Sequence, residues 1–338
     1  METKTMINYT HRQAGHCESG ATSNLLRFYG KDMSEPMAFG IGNGLYFSYI
    51  PFLKVQFAPM ISFRNLPNTV FHRGMKYLGI DATVIKKFKD PKEAMLALDR
   101  NLEKGIPTGM QVGVFNLTFF PPEYRMHYNM HNLVCFGKEG NLYHISDTVM
   151  ETAQALTYED LLRVRYAKGV FAPEGKMYWI DNVPENLDIK AAVAMGIKKT
   201  VYEMIKVPFP LIGVKGLRWM GRDLRKWPKK HGVTKASFYL GQVLRMAEDF
   251  GTGGAGFRYI YGAFLKEAGE KFNHAELLEA SEMMGKTANR WREFTYIGAR
   301  NCKSRSQPQE DYGMLGDMMI EIAGMEEKVY RKLDKIKL

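Results

Sequence analysis

Cys17, His131 and Asp147 are the residues whose types and order along this chain could do chemistry together. Cys17 follows Gly15 and stands at the head of a stretch, 18–29, in which Ala21, Leu25, Leu26 and Phe28 share a face at helical spacing before Gly30 supplies a stop. A thiol at a helix N-terminus meets the positive end of the dipole and backbone amides without intrahelical partners, and both favour thiolate. His131 opens an apolar run, HNLVCFG, and Asp147 closes the next one, NLYHISD. The Lys-Glu-Gly between the runs signals a hairpin, so their outer ends, 16 residues apart in sequence, come side by side. A nucleophilic thiol, an imidazole base and a carboxylate that orients the imidazole are the parts of a covalent acyl-transfer site.

Each residue also has a plainer use. A lone cysteine is most often a small buried hydrophobe, and aspartate after a strand is commonly a turn residue. Spacing alone leaves both readings standing, and only the conjunction argues for catalysis. Cys135 lies inside the apolar run and reads as core, whereas Cys302, in the polar stretch RNCKSRSQPQ, reads as a loop thiol. His127 precedes His131 by four residues and is a rival base, but it is not attached to the apolar strand. His11, His16 and His144 read as non-catalytic, with His16 placed to tune the surroundings of Cys17.

The elements that must hold these groups read as helices followed by an antiparallel sheet, an α+β arrangement. Residues 37–61 are rich in glycine and aromatics and read as loop or short strand. PNTVFHRGMKYLG and PKEAMLALDRNLEKG begin at proline and end at glycine, as helices tend to, with the short strand DATVIKKF between them. Strand patterns cover 107–115, 131–137, 141–147 and 176–180, and a helix opened by Thr157 covers 156–167. After Val183-Pro184 only helical periodicity remains, with candidate helices at 186–206, 213–226, 233–250, 254–270, 274–298 and 311–335. The expected division is a cysteine domain at 1–183 and an all-α domain at 184–338.

Composition is that of an ordinary globular protein, 45% hydrophobic and 25% charged over 338 residues. METKTMINYTHRQAGHC is too polar to read as a signal peptide, no transmembrane helix is expected, and three scattered cysteines without a CxxC pair do not make a disulfide framework. A reducing cytoplasm is the expected location, peripheral contact with the inner face of a membrane is also compatible, and no metal is expected. The net charge of +11 is concentrated, because residues 198–235 hold eleven Lys/Arg against Glu203 and Asp223 and so carry +9 of it. Such a segment suits an acidic partner surface. Lys215, Arg218, Arg222, Arg225 and Lys226 are the expected docking residues. Val207, Pro208, Phe209, Trp219 and Trp227 interleave apolar groups with the cations, which also suits anionic lipid. No nucleic-acid motif is recognised, so no nucleic acid is expected.

HCESGATSNLLRFYG, SEPMAFGIGNGLYF and HNLVCFG with YHISD resemble the N-terminal domain of the butirosin biosynthesis protein H family, which is similar to peptidase C39-like and papain-like cysteine enzymes. The family's hallmarks fall here at His16-Cys17, at Glu35 through Gly42, and at His131 through Gly137 with Asp147. FGTGGAGFRYIYGAFLKEA resembles the helical domain that often follows.

The resemblance implies a papain-like fold and acyl transfer rather than proteolysis. Cys17 would take an acyl group from the phosphopantetheine thioester of an acidic acyl carrier protein and pass it to an amine or hydroxyl on a small-molecule or lipid acceptor. No cofactor would be bound apart from that phosphopantetheine on the donor. The alternative is a cysteine hydrolase, thioesterase or peptidase, using the same Cys-His-Asp site with water as acceptor. The Cys17 backbone N–H is the expected oxyanion donor and Gln13 a second one. The GIGNG segment, with Gly40, Gly42, Asn43 and Gly44, lacks the following Lys-Ser/Thr of a phosphate loop and is expected to shape the acyl or pantetheine pocket. GTGGAG at 251–256 lacks a preceding strand and reads as a helix N-terminus that permits close packing.

Overall fold

A computed structural model describes residues 4–55, 57–249, 251–303 and 308–338. The chain begins with β1 (Lys4–Met6), α1 (Cys17–Phe28), α2 (Glu35–Ile41), β2 (Leu45–Val55) and β3 (Ala58–Arg64). Next come α3 (Thr69–Leu78), β4 (Asp81–Ile85), α4 (Pro91–Glu103), β5 (Thr108–Val112), β6 (His131–Glu139), β7 (Leu142–Ser146), β8 (Gln154–Thr157), α5 (Tyr158–Arg165) and β9 (Met177–Asn182). The remainder is helical: α6 (Ile189–Val201), α7 (Gly213–Leu224), α8 (Trp227–His231), α9 (Val233–Glu248), α10 (Arg258–Lys271), α11 (Ala275–Lys303) and α12 (Pro308–Leu333). The fold is mixed α+β with an antiparallel sheet and a helical C-terminal region.

The chain divides into two compact units, and not at a single boundary. The first is Met1–Ala38 with Leu66–Asp188, and the second is Phe39–Asn65 with Ile189–Leu338. The 183/184 boundary expected from the loss of strand alternation therefore needs a correction. Residues 39–65, with the β2–β3 hairpin, pack with the helices of the second unit, so that unit is not all-α.

In the first unit the sheet runs β4-β9-β5-β6-β7-β8, every pair antiparallel, with β1 also paired to β6. β6 has neighbours on both edges and is buried from His131 through Gly137, which explains its near-continuous apolar sequence. Met95 and Leu98 of α4, Leu161 and Val164 of α5, and Met110, Val112, Leu133 and Ile145 of the sheet form one core. α1 packs on β6 and on α3 and is buried from Cys17 through Leu26. Gly20 lets it approach so closely because a Cβ there would lie 2.5 Å from Ala14 Cβ and 2.6 Å from Thr148 Oγ1. Thr157 caps α5 as its sequence suggested, accepting the Asp160 N–H at 3.1 Å.

In the second unit, β2 pairs with β3 and its ladder is interrupted between Ile50 and Lys54. Pro51, which has no N–H to give a ladder, falls in that interruption. The 251–256 segment is a packing device, since a Cβ on Gly256 would lie 2.3 Å from the Phe63 ring. Phe250, which precedes this segment and was the expected end of the 233–250 helix, lies outside the described residues. Cys302 is in the last turn of α11, half-buried, with Sγ 3.6 Å from the Ser237 carbonyl, so it is not a loop thiol.

At the centre of this unit Arg258 and Glu326 form a fully buried pair at 2.9 and 3.2 Å. The Trp291 Nε1–H (2.8 Å) and Tyr330 hydroxyl (3.2 Å) also donate to Glu326. Removing one partner leaves an uncompensated charge in a dry core. Glu326→Ala should therefore destabilise the second unit by about 3–5 kcal/mol, measured by denaturant unfolding of the full chain. An unchanged transition would contradict this account of the core.

Candidate active site

α1 begins at Cys17, and the structure shows what fixes that start. His16 is extended (φ −131°, ψ 128°) and serves as N-cap, its Nδ1 accepting the Ser19 N–H at 3.3 Å and lying 2.9 Å from Ser19 Oγ. Histidine thus takes the place Ser, Thr or Asp usually fill. Glu35, at the start of α2, holds the same turn. Its carboxylate accepts from the Gly15 N–H (2.9 Å), the His16 N–H (2.6 Å) and the Ser19 hydroxyl (3.2 Å). Burial keeps this carboxyl above its ordinary range even though all three hydrogen bonds pull it down. Glu18, fully buried, does the equivalent for α3, with Oε1 accepting from Val70 N–H at 2.7 Å and Phe71 N–H at 3.3 Å. The acid at that helix N-terminus is supplied by α1, while Asn68, the nominal cap, makes no side-chain cap bond.

His131 and Asp147 meet as the hairpin geometry requires. The β6–β7 turn pairs Glu139 with Leu142 across Gly140 (φ +57°) and Asn141. It returns the chain so that Asp147, one residue past β7, reaches the first residue of β6. His131 Nε2 lies 2.7 Å from Asp147 Oδ2, with both side chains buried. Asp147 Oδ1 also accepts the Val149 N–H at 3.2 Å, which fixes the carboxylate plane. The Phe120 ring stands edge-on to the imidazole at 5.5 Å.

Cys17 completes the group. Burial alone would depress the imidazole, but the charges of Asp147 and Cys17, and its hydrogen bonds to both, raise His131 to about 10. Since Nε2 is committed to Asp147, Nδ1 is the nitrogen left to serve Cys17. The raised His131 favours an imidazolium beside the Asp147 carboxylate. Relative exposures of 6% for Cys17, 5% for His131 and 0% for Asp147 show that all three side chains are buried.

Other thiols and imidazoles lie in different settings. Burial pushes Cys135 up to about 12, and its Sγ rests 3.6 Å from the Gly137 carbonyl. His127 is stacked on Phe115 at 4.1 Å. His11 bridges Ser146 Oγ (2.8 Å) and the Met150 carbonyl (3.1 Å), bracing the chain around Asp147. No group of residues suited to a metal ion occurs among the described residues.

Three sequence expectations need correction. Gln13 is exposed and its Nε2 donates to the Val149 carbonyl at 3.4 Å, so its amide is directed to the segment after Asp147 and not to an oxyanion. Gly40, Gly42, Asn43 and Gly44 are buried inside the second unit. Asn43 Nδ2 donates to Thr200 Oγ1 at 2.8 Å, and a Cβ on Gly40 would lie 2.1 Å from the Phe264 ring. Gly40 and Gly44 permit close packing on Phe264 and Phe39. In the basic segment, Arg218 is paired with Glu327 and Arg225 with Asp317, both on α12. Lys215, Arg222 and Lys226 remain exposed, Lys215 with its Nζ 3.2 Å from the Val207 carbonyl. The acids that neutralise Arg218 and Arg225 lie about a hundred residues away in sequence, so no local pattern shows the pairing.

Glu35 and Glu18 are residues the sequence did not single out. Glu35 sits within the Glu-Pro-Met segment that carried the resemblance, but nothing local says its carboxylate turns back to Gly15 and His16. Glu35→Ala should lower turnover by about 10²-fold through a misplaced Cys17, with far-UV circular dichroism unchanged. Glu35→Gln keeps one acceptor oxygen and should lose less. Because the carboxyl is raised above 4.5, turnover should fall on the acid side as Glu35 protonates, and that limb should vanish in Glu35→Gln. An unaltered acid limb would contradict the role.

Residues 16–148 match the family described as butirosin biosynthesis protein H, N-terminal, and residues 159–333 match a domain of unknown function, DUF4872. The chain belongs to the DUF4872 family, whose match covers more than half of it, and carries the butirosin biosynthesis protein H N-terminal domain ahead of that region. The first match begins at His16 and ends one residue past Asp147, so it spans the whole triad. Family membership supports a papain-like cysteine enzyme. Among solved structures, a candidate C39-like peptidase from Bacillus anthracis is similar at 14% identity and a TM-score of 0.37, covering 54% of this chain and 100% of that one. No curated protein matches in sequence.

Proposed function

We propose that the protein is an acyltransferase that works through an acyl-Cys17 thioester, with a carrier-protein thioester as donor and an amine or hydroxyl as acceptor. The observation that carries this reading is the buried Cys17–His131–Asp147 group with the thiol at a helix N-terminus. Cys17 thiolate attacks the donor carbonyl carbon and the bond to the donor sulfur breaks. His131 imidazolium gives its proton to the departing thiolate. Acylation removes one of the two negative charges that raise His131, so the imidazole becomes a neutral base. The acceptor then attacks the acyl carbon, His131 takes its proton, Cys17 thiolate leaves and the ion pair is restored. The Cys17 backbone N–H, in the first turn of α1, is the proposed oxyanion donor. The family's name, taken from a biosynthesis protein, supports transfer over hydrolysis.

Lys215, Arg222 and Lys226 are the cations proposed to meet an acidic carrier. Their neutralisation should raise KM for a carrier-bound donor and leave a small thioester unaffected, whereas reversing Arg218 or Arg225 would instead break their pairing with α12. The deciding experiment supplies an acyl-carrier thioester with and without an amine and separates the products. Amide formed in preference to free acid supports acyl transfer. Free acid at the same rate in both reactions would make the protein a hydrolase.

A further inference from the structure

In the second unit, the β2–β3 hairpin carries the two most exposed of the large apolar side chains described, Phe57 at 87% just before β3 and Phe52 at 76% in the turn-ward part of β2, beside Leu53 at 48%. Phe57 sits at φ +67°, a left-handed conformation costly for a side chain of this size. Exposed apolar residues of this size mark contact sites.

Cations gather behind the tip. Lys54 Nζ lies 5.0 Å and Lys235 Nζ 5.8 Å from the centroid of the Tyr239 ring, and the His231 ring is 5.2 Å from it. Hairpin, α8 and α9 therefore converge on one residue. His231 is held below its ordinary range, by burial first and then by Lys230, Lys54 and Lys235, which places these charges around it. Asp223 is the opposing charge, 3.5 Å from Lys230. Val233 (50% exposed) and Phe238 (43%) extend the apolar surface along α9.

Apolar groups at a hairpin tip, with lysines set behind them, fit the boundary between anionic headgroups and acyl chains. A protein interface fits less well, because its core is depleted of lysine and its apolar anchors need a matching pocket. No helix among the described residues is long and apolar enough to cross a membrane. We propose that the β2–β3 tip and the start of α9 form a peripheral binding surface for anionic lipid. Phe52, Leu53 and Phe57 enter the bilayer interface while Lys54, Lys230 and Lys235 meet headgroup phosphates. The proposal does not depend on the acyl-transfer reading.

The full chain is sedimented with phosphatidylcholine vesicles that contain or lack phosphatidylglycerol. Binding to the anionic vesicles and much weaker binding to the neutral ones is expected. The Phe52→Ser/Phe57→Ser double variant should lose that binding while its thermal transition and Cys17 alkylation rate stay as in the parent. Lys54→Gln and Lys235→Gln should each weaken it about fivefold. A Phe52→Trp variant should show blue-shifted emission on anionic vesicles. Absence of binding to anionic vesicles, full binding by the double variant, or a double variant that binds vesicles normally yet no longer binds carrier protein would overturn the proposal.

Discussion

Cys17→Ala should abolish turnover, a loss of roughly four orders of magnitude or more, with the fold retained. Alanine is tolerated at the first position of a helix and removes only the sulfur. The contacts that set the start of α1 come from the backbone of Gly15 and His16 and from Ser19, not from the thiol. The other thiols provide the control. Cys135→Ala creates a small void in the core and should lower stability by about 1 kcal/mol, and Cys302→Ala touches only one side of α11. Both should keep most activity. A Cys17→Ala enzyme that turned over at a rate near the parent's would remove the nucleophile from the account.

Loss of His131 should cost about as much as loss of Cys17, because the two act as one unit and such losses do not add. Asp147→Asn should be milder, about 10–10²-fold, given that papain-like sites work with asparagine in that role. It still harms, because one amide oxygen cannot accept from both the His131 ring and the Val149 N–H as the carboxylate does. The pH dependence gives a sharper test. His131 is raised from 6.5 to about 10, so the imidazolium persists through neutral pH. Alkylation of Cys17 should then be nearly flat across that range and change as pH nears 10. In Asp147→Asn the upper break should move down. In His131→Ala the profile should become that of a single thiol ionising near about 8.5. Stability follows the same sign. A histidine raised on folding contributes fully below about 6.5 and loses that contribution as pH climbs to about 10, so the parent's advantage over His131→Ala should shrink across that window.

How much of this the sequence could show depends on the distance over which each feature is specified. The His131–Asp147 pair was legible because a hairpin with a glycine turn fixes its own register. The helix after Cys17 was legible because its apolar spacing and its stop at Gly30 are local. Residues 37–61 were not. Their glycines and aromatics read as loop or short strand, but α2 occupies Glu35–Ile41 and β2 runs on from Leu45 to Val55, and the packing of Gly40 on Phe264 joins partners that local patterns do not name. For the same reason the hairpin's place in the second unit was hidden. His16 was expected to tune Cys17; the structure shows it as the cap of α1, a role rarely given to histidine. The short strands β1 and β8 were missed because three- and four-residue edge strands carry too little alternation to register.

The most direct test of the nucleophile is to trap the acyl-enzyme. The protein is mixed with an acyl thioester without acceptor, quenched in acid, and measured by intact mass and then by peptide mapping. The predicted result is one added acyl group on the peptide carrying Cys17. It should be released by hydroxylamine, absent from Cys17→Ala, and formed far more slowly in His131→Ala. An acyl group mapped to Cys135, Cys302 or a lysine, or an equal adduct on the Cys17→Ala protein, would contradict the account.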